Sequence, residues 1–200
     1  GIQYIVYTLK KEIISPQKTG KITIPAFEVS TLVNRDFFNR GVSKNLKSNS
    51  IILNVKQLPK NAPIGFNGQI GSNYKLKVDV TKKELKVDEA LDISIEISGK
   101  GNLKQLSLPK INFPQDLEQY PQDLKSKINI TSNGIFGSKK VSQLLIPRFH
   151  GDYEIPKIEF SYYDINLRKY KTLIHPAIKI KVNKNNSINS RKNASGYTNN

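Results

Sequence analysis

The chain has 200 residues, of which 32 are Lys or Arg and 16 are Asp or Glu, so its formal net charge is +16. It has no cysteine, which excludes disulfides, a thiol nucleophile and cysteine zinc sites. No apolar run approaches the roughly 18 residues of a membrane-spanning helix, and no block of like charges forms a basic arm.

Two stretches of the chain, 131 residues apart, share one pattern. The first reads Pro16-x3-Gly20-x3-Ile24-Pro25-x2-Glu28-Val29, and the second reads Pro147-x3-Gly151-x3-Ile155-Pro156-x2-Glu159-Phe160. An apolar-alternating segment follows each copy, at Ile51–Val55 and at Ile178–Val182. A repeat at this distance has the size of a domain. We therefore predict tandem copies of one fold, of which the first lacks its front half.

The repeated motif predicts turn and kink residues at Pro16, Gly20, Pro25, Pro147, Gly151 and Pro156. The first proline of each copy ends a strand because it lacks a ladder donor, and the glycine takes a positive φ in a tight connection. The second proline lies inside an apparent strand, which predicts a kink where the strand changes partner. Tyr153 is a candidate for the tyrosine corner of immunoglobulin-like sandwiches, although Ile22 holds its place in the first copy.

Between the copies, alternation of apolar and polar residues predicts short strands. The clearest pair is Tyr74–Val80 followed by Leu85–Ser98. The run Ser98-Gly99-Lys100-Gly101-Asn102 is predicted to end the second of these strands. No window has a helical period. About seven short strands separated by turns predict an all-β fold of tandem immunoglobulin-like antiparallel β-sandwich domains, the first one incomplete.

Four segments are predicted along the chain. Residues 1–57 are the C-terminal part of an immunoglobulin-like β domain, 58–73 are a linker with the loop that leads into the next domain, 74–182 are a complete immunoglobulin-like β-sandwich, and 183–200 are a flexible tail. The tail is rich in Asn and Ser, so it buries too little surface to offset its ordering entropy. A start at Gly1 rather than Met is expected of a piece of a longer protein.

Residues that carry chemistry are few. His150 and His175 have no ligand spacing around them, so surface-loop histidines are favoured over a shared metal site. Gly99-x-Gly101 lacks the third glycine of a phosphate loop. We predict no catalytic residue, no cofactor and no metal site.

The acidic residues favour structural roles. The stretch 84–89 predicts a solvated turn rather than a paired acid and base or a calcium site. Asp152 and Glu154 share a strand face beside Arg148, which predicts an ordinary surface ion pair.

Lysines alternate with apolar residues in the runs 74–78 and 178–182, so on a strand they point to solvent. This predicts a solvated outer face that discourages edge-to-edge association. Only four arginines occur, and nucleic-acid binding is not predicted. Binding of anionic envelope polymers, such as lipopolysaccharide or another anionic glycan, stays an alternative that clustering of lysines on one face would favour.

Five motifs in order resemble one known family. They are Ile97-Ser98-Gly99-Lys100-Gly101-Asn102-Leu103, Leu108-Pro109 with Phe113-Pro114, Gly134-x2-Gly137-Ser138, Leu144-Leu145-Ile146-Pro147-Arg148, and the run from Gly151 through Ile155-Pro156 to Tyr163-Asp164. Residues 64–182 resemble the BatD family, the oxygen-tolerance proteins of Bacteroides-type aerotolerance operons. Residues 4–57 resemble the end of that family's preceding domain.

The resemblance implies a periplasmic, extracytoplasmic region of a protein that segments outside this chain anchor in the inner membrane. It also implies operon partners with von Willebrand A domains, a MoxR-type ATPase, and a role in aerotolerance, envelope or oxidative-stress tolerance. It implies no catalytic motif. The predicted function is therefore a non-enzymatic interaction or scaffold module that acts through protein–protein contacts.

Overall fold

The computed structural model describes residue 3 and residues 6–185. Within these residues the chain forms β-strands and no helix, which confirms the predicted all-β fold. Two compact units divide between Lys60 and Asn61, inside the linker predicted for 58–73, and the other predicted boundaries stay predictions. Of the predicted tail, residues 186–200 lie outside the described residues.

The first unit, residues 1–60, contains four strands, β1 (Gly20–Ile24), β2 (Glu28–Arg35), β3 (Arg40–Lys47) and β4 (Ile51–Val55). Strand β1 pairs with β4 and β2 pairs with β3, both antiparallel, so each sheet has two strands. A two-stranded sheet is marginally stable by itself. The described part of the first unit therefore contains two separately paired sheets of marginal stability, and its interpretation as an incomplete sandwich stays a prediction.

The two units differ in how much of their side chains they bury. Every buried hydrophobic side chain in the described part of the chain belongs to the second unit. In the first unit Ile22, Ile24 and Val29 are only half-buried, and Phe27 is 53% exposed. The segment 6–16 forms no strand, and its Val6 is 87% exposed. By the 131-residue offset this segment corresponds to a long paired strand of the second unit.

The second unit, residues 61–200, contains ten strands within its described part. They are β5 (Ile70–Val80), β6 (Glu84–Lys86), β7 (Leu91–Gly101), β8 (Leu117–Gln119), β9 (Asp123–Thr131), β10 (Gly134–Pro147), β11 (Gly151–Ile155), β12 (Ile158–Asp164), β13 (Lys169–His175) and β14 (Ile178–Asn183). A seven-stranded sheet has the order β13-β12-β5-β7-β10-β8 with β9 also on β10, and a three-stranded sheet has the order β11-β14-β6. Pairing is antiparallel except for two short parallel contacts, β12 with β5 and β14 with β6.

Two hydrophobic clusters form the core of this sandwich. The first lies where the small sheet covers the large one and contains Leu85, Leu91, Ile93, Leu117, Leu145, Ile155, Ile178, Ile180 and Val182. The second contains Tyr74, Ile97, Leu103, Leu106, Phe160 and Tyr162, and the loop after β7 supplies two of these residues. Core residues recur at every second position of β7 and β14, as alternation predicts for strands with one buried face.

The sequence repeat is also a repeat of strand register. Gly20 pairs with Val55 and Gly151 pairs with Val182, so β1–β4 and β11–β14 begin alike. Glu28 pairs with Lys47 in the first unit, and Glu159 pairs with Ile174 in the second. Strands β1–β4 and strands β11–β14 therefore form the same element, a bent hairpin in which one antiparallel pair continues into a second. Both hairpins end in a turn of four residues, and the arms from Glu28 and Glu159 to the turn are two residues longer in the first unit.

The glycines between Ser98 and Asn102 do not end the strand as predicted, because β7 continues through them to Gly101. They make room for the ring of Tyr74. A Cβ placed on Gly99 would lie 2.5 Å from Tyr74 Cδ1, and one on Gly101 would lie 2.6 Å from the carbonyl oxygen of Ile70. Burial, and secondarily Tyr162, raises the pKa of Tyr74 to about 12. Glycine inside a strand here marks close approach rather than a turn.

Gly99→Ala is expected to destabilise the second unit by about 1–3 kcal/mol, because the added methyl group overpacks the Tyr74 site. Chemical denaturation followed by circular dichroism measures the loss. Ser98→Ala is the control, since it adds no atom beside that ring. Equal stability of Gly99→Ala and the native chain would contradict the proposed close approach.

Limited proteolysis is expected to trim the chain to a core that begins between Gln57 and Asn73 and ends near Val182. The reason is that none of the described side chains of the first unit is completely buried, so its backbone opens at little cost in free energy. Mass spectrometry of the fragments locates the cleavage sites. A monomer that resists cleavage throughout residues 6–57 would show that the first unit is self-sufficient.

Candidate functional site

The motif glycines begin equivalent strands. Gly20 opens β1 with φ +104° and Gly151 opens β11 with φ +153°. The two first prolines differ, because Pro147 is buried at the end of β10 whereas Pro16 is exposed and unpaired. Pro147 pairs with Leu117 of β8 in the ladder, whereas Pro16 belongs to no strand of the described residues.

The second prolines lie where the chain moves between sheets. Pro25 separates β1 from β2, and Pro156 separates β11 from β12. Strand β11 pairs with β14 in the small sheet, whereas β12 pairs with β13 and β5 in the large sheet. Proline has no amide hydrogen for the ladder, so it suits a position at which the ladder is interrupted. The chain from β11 to β12 therefore contributes one strand to each of the two sheets.

Tyr153 connects β11 to the turn before it. Its hydroxyl donates a hydrogen bond to the carbonyl oxygen of Phe149 at 2.9 Å, and its half-buried ring packs against the first core cluster. Burial, and secondarily Asp116, raises the pKa of the Tyr153 hydroxyl. A tyrosine that bonds to the backbone just upstream is the arrangement of a tyrosine corner, and that assignment stays a prediction.

Arg148 does not pair with Asp152 or Glu154 as predicted. Its guanidinium lies 2.6 Å from Asp88 and 2.5 Å from Glu118. Asp152 and Glu154 instead oppose Lys181 and Lys179 across the β11–β14 ladder. Hydrogen bonds from Arg148 to Asp88 and Glu118 raise the pKa of the guanidinium. The pairing joins the turn at Asp88, strand β8 at Glu118 and the bend at Arg148, which are distant in sequence, and so local spacing could not find it.

Acidic residues shape the tips of both bent hairpins. Asp36 Oδ1 accepts hydrogen bonds from the amides of Phe38 and Asn39 at 2.9 and 2.7 Å. Asp164 Oδ1 accepts from the amides of Asn166 and Leu167 at 3.0 and 3.1 Å. An aspartate that bonds to amides two and three residues later stabilises a tight turn.

At the tip of the first unit two aromatic side chains project into solvent. Phe37 is 95% exposed and Phe38 is 96% exposed, and their rings meet edge to face with centroids 5.2 Å apart. Arg35 and Arg40 pair directly behind them. Sequence reasoning missed this pair, although the Asp36-x-x-Asn39 spacing is a turn signal that could have placed both phenylalanines at a tip.

The equivalent tip of the second unit is better covered. Ile165 and Leu167 are 48% and 52% exposed. Asp164 is buried, and burial alone would raise its pKa, but the amides of Leu167 and Asn166 and the ammonium of Lys171 outweigh burial and lower it. The charged form of Asp164 is therefore part of the folded hairpin.

Asp164→Ala is expected to destabilise the second unit by about 1–3 kcal/mol at neutral pH through loss of these hydrogen bonds. A lowered folded-state pKa means that the carboxylate stabilises the fold above the unfolded pKa of about 3.9, and this contribution is lost as pH falls through the folded value. Chemical denaturation at neutral and at acidic pH should show that the difference in unfolding free energy between the native chain and Asp164→Ala is smaller in acid. Asn166→Ala on the same tip is the control, and a pH-independent difference for Asp164→Ala would contradict the assignment.

Lysines lie on both outer faces of the second unit. Lys77 of β5 faces outward from the large sheet, and Lys179 and Lys181 of β14 face outward from the small sheet. Carboxylates lie among them, since Lys77 Nζ is 2.8 Å from Asp79, and Lys181 opposes Asp152 in the ladder. The positive charge of this unit is thus divided between two faces and interleaved with negative charge.

The other polar candidates are dispersed. In the stretch 84–89, Glu84 accepts a hydrogen bond from Asn183, while Glu89 contacts Lys82. His150 lies exposed before Gly151, and His175 ends β13. Throughout the described residues, three or more potential metal ligands do not come together. A depression between the paired strands β7 and β10 and the segment 109–122 is lined by aliphatic, proline, phenylalanine and glutamine side chains and by no titratable group.

Comparison with known proteins gives one match. The family model described as BatD DUF11 like domain matches residues 78–182, slightly more than half of the chain, and this confirms the resemblance. No curated protein and no solved structure matches the chain. Among the residues with described structure, no helix has the length and apolar character to cross a membrane.

Proposed function

The chain belongs to the BatD family, and from this premise we propose that it is an extracytoplasmic interaction and scaffold module. In the proposal the module lies in the periplasm, and segments outside these residues anchor it in the inner membrane. It acts through protein–protein contacts and catalyses no reaction. Its biological role is in aerotolerance and envelope or oxidative-stress tolerance.

The exposed tip of the first unit is the observation that carries this proposal. Phe37 and Phe38 stand almost fully in solvent at the end of a hairpin whose turn is held by Asp36. Aromatic side chains are enriched at protein interfaces, and loops at the ends of sandwiches often carry recognition. Two ordered aromatic rings at such a position favour contact with a protein surface.

The proposed partners are proteins with von Willebrand A domains of the Bat operon type. A photoreactive phenylalanine analogue in place of Phe38, in the membrane-anchored protein in cells, tests this directly. Discrete cross-linked species with those partners, identified by mass spectrometry, are expected. The same analogue in place of Lys179, on the outer face of the small sheet, is the control.

Two kinds of cross-linked product would contradict the protein-contact function. Adducts at position 38 that match those at position 179, or that contain only glycan or lipid, would remove the protein-contact function. The analogue at position 38 adds no buried atom, because the native side chain is 96% exposed. Loss of folding therefore does not complicate the result.

The alternative function is binding of anionic envelope polymers, which the net charge of +16 favours. Interleaving of Lys77 with Asp79 and of Lys181 with Asp152 weakens it, because adjacent carboxylates reduce attraction to a polyanion. Heparin binding is expected to be weak and to disappear near 0.15 M ionic strength, where the screening length is about 8 Å. Sub-micromolar affinity at that salt, measured by calorimetry, would favour the alternative.

A further inference from the structure

Charge is distributed unevenly along the outer face of the large sheet. Two neighbouring ladder rows, each made of residues that lie opposite one another on β5, β7, β10 and β9, hold equal numbers of lysines and carboxylates. Their charged residues are Lys77, Glu96, Lys140 and Lys125 in one row, and Asp79 and Asp123 in the other. Lys77 Nζ lies 2.8 Å from Asp79, and Lys125 Nζ lies 2.9 Å from Asp123. Positive charge is therefore balanced in this part of the face.

The next two rows, toward the β9–β10 turn, contain lysines and no carboxylate. Across β5, β7, β10 and β9 they read Lys75-Ser98-Ser138-Lys127 and Ser72-Lys100-Phe136-Asn129. Within the described residues, none of these lysines forms an ion pair. We name seven of these residues the basic patch: Lys75, Lys100, Lys127, Ser98, Ser138, Phe136 and Asn129.

The basic patch faces outward because its neighbours along the strands face the core. Leu76, Ile97 and Ile128 belong to the second core cluster or pack against it. Successive side chains of a strand point to opposite faces, so the residues beside them on β5, β7 and β9 point away from the core. All the lysines of the basic patch are exposed, and Phe136 is 43% exposed.

Hydrogen-bond donors of the basic patch are available to a ligand. Ser98 and Ser138 lie opposite each other in the ladder, and among the described residues neither hydroxyl has a hydrogen-bond partner. Lys75 and Lys127 lie at the two ends of the same row, about 14 Å apart at the usual spacing of strands. Two hydroxyl donors therefore lie between two ammonium groups, within reach of a group of carboxylates.

We propose that the basic patch binds an acidic segment of a partner protein. This deepens the proposed protein-contact function and rests on it. The ammonium groups pair with carboxylates of the segment, and the hydroxyls of Ser98 and Ser138 donate hydrogen bonds to them. Phe136 adds apolar contact within the charged surface, and aromatic side chains are enriched at protein interfaces. Complementary charge orients the partner and speeds its association.

An anionic polymer is a poorer occupant of the basic patch. Affinity for a polyanion grows with the number of anionic groups that the protein neutralises, and it falls steeply as salt rises. The adjoining rows are electrically balanced by Asp79, Glu96 and Asp123, so the unpaired charge does not extend along the sheet as a track for a long chain. A compact cluster of carboxylates on a protein matches the size of the patch.

The test places a photoreactive phenylalanine analogue at Asn129, in the membrane-anchored protein in cells. Asn129 is exposed and lies opposite Phe136, so the analogue projects from the basic patch without entering the core. Protein adducts are expected. Mass spectrometry of the digested adducts is expected to place the cross-link in a partner segment rich in Asp and Glu.

Matched charge variants test the role of the lysines. Lys75→Gln combined with Lys127→Gln is expected to lower the yield of the adduct at position 129 about threefold or more, because two exposed ion pairs are lost. Lys179→Gln combined with Lys181→Gln removes the same charge from the outer face of the small sheet and is expected to leave the yield unchanged. Chemical denaturation shows whether both double variants keep the native stability of the second unit.

Three results would overturn acidic docking at the basic patch. They are equal adduct yields from the two double variants, a cross-linked partner segment without acidic residues, and adducts that contain only glycan, lipid or another part of the same chain. Adducts from position 38 separate this proposal from the protein-contact function. If position 38 gives protein adducts and position 129 gives none, protein contact stands and acidic docking falls. If neither position gives a protein adduct, both fall.

Discussion

The bent hairpin that crosses from one sheet to the other is the constraint on which the sandwich depends. Its strands pair as β11 with β14 in the small sheet and as β12 with β13 in the large sheet, and the register continues across Pro156. Ile155 enters the first core cluster, whereas Phe160 enters the second. Because one chain path supplies both clusters, the position of the kink fixes how the two layers pack.

The same hairpin in the first unit buries little of its side-chain surface. Its register matches that of the second unit, yet none of its described side chains is fully buried. Local pairing therefore specifies the hairpin, and burial comes only from the strands that pack on it. In the second unit these strands are β5 to β10, which supply Leu85, Leu91, Ile93, Leu117 and Leu145 to the first core cluster.

Sequence predicted the parts of this fold that local pattern controls. Alternation identified the core positions of β7 and β14, and the repeat identified the two copies of one hairpin. The prediction failed where distant residues decide, because the ring of Tyr74 requires a residue without a side chain at Gly99, and because Arg148 pairs with Asp88 sixty residues away. Sequence did not predict the exposure of Phe37 and Phe38, because two adjacent aromatic residues suggest a buried position unless the turn that contains them is recognised.

The net charge and the arrangement of charge favour different kinds of partner. On the outer face of the small sheet Lys179 and Lys181 lie opposite Glu154 and Asp152, so the face presents both signs at the spacing of a ladder. A face with interspersed positive and negative charges has only a weak net electrostatic attraction or repulsion for a charged partner. The proposed protein contact therefore depends on directional features, such as the projecting rings of Phe37 and Phe38 at the tip of the first unit.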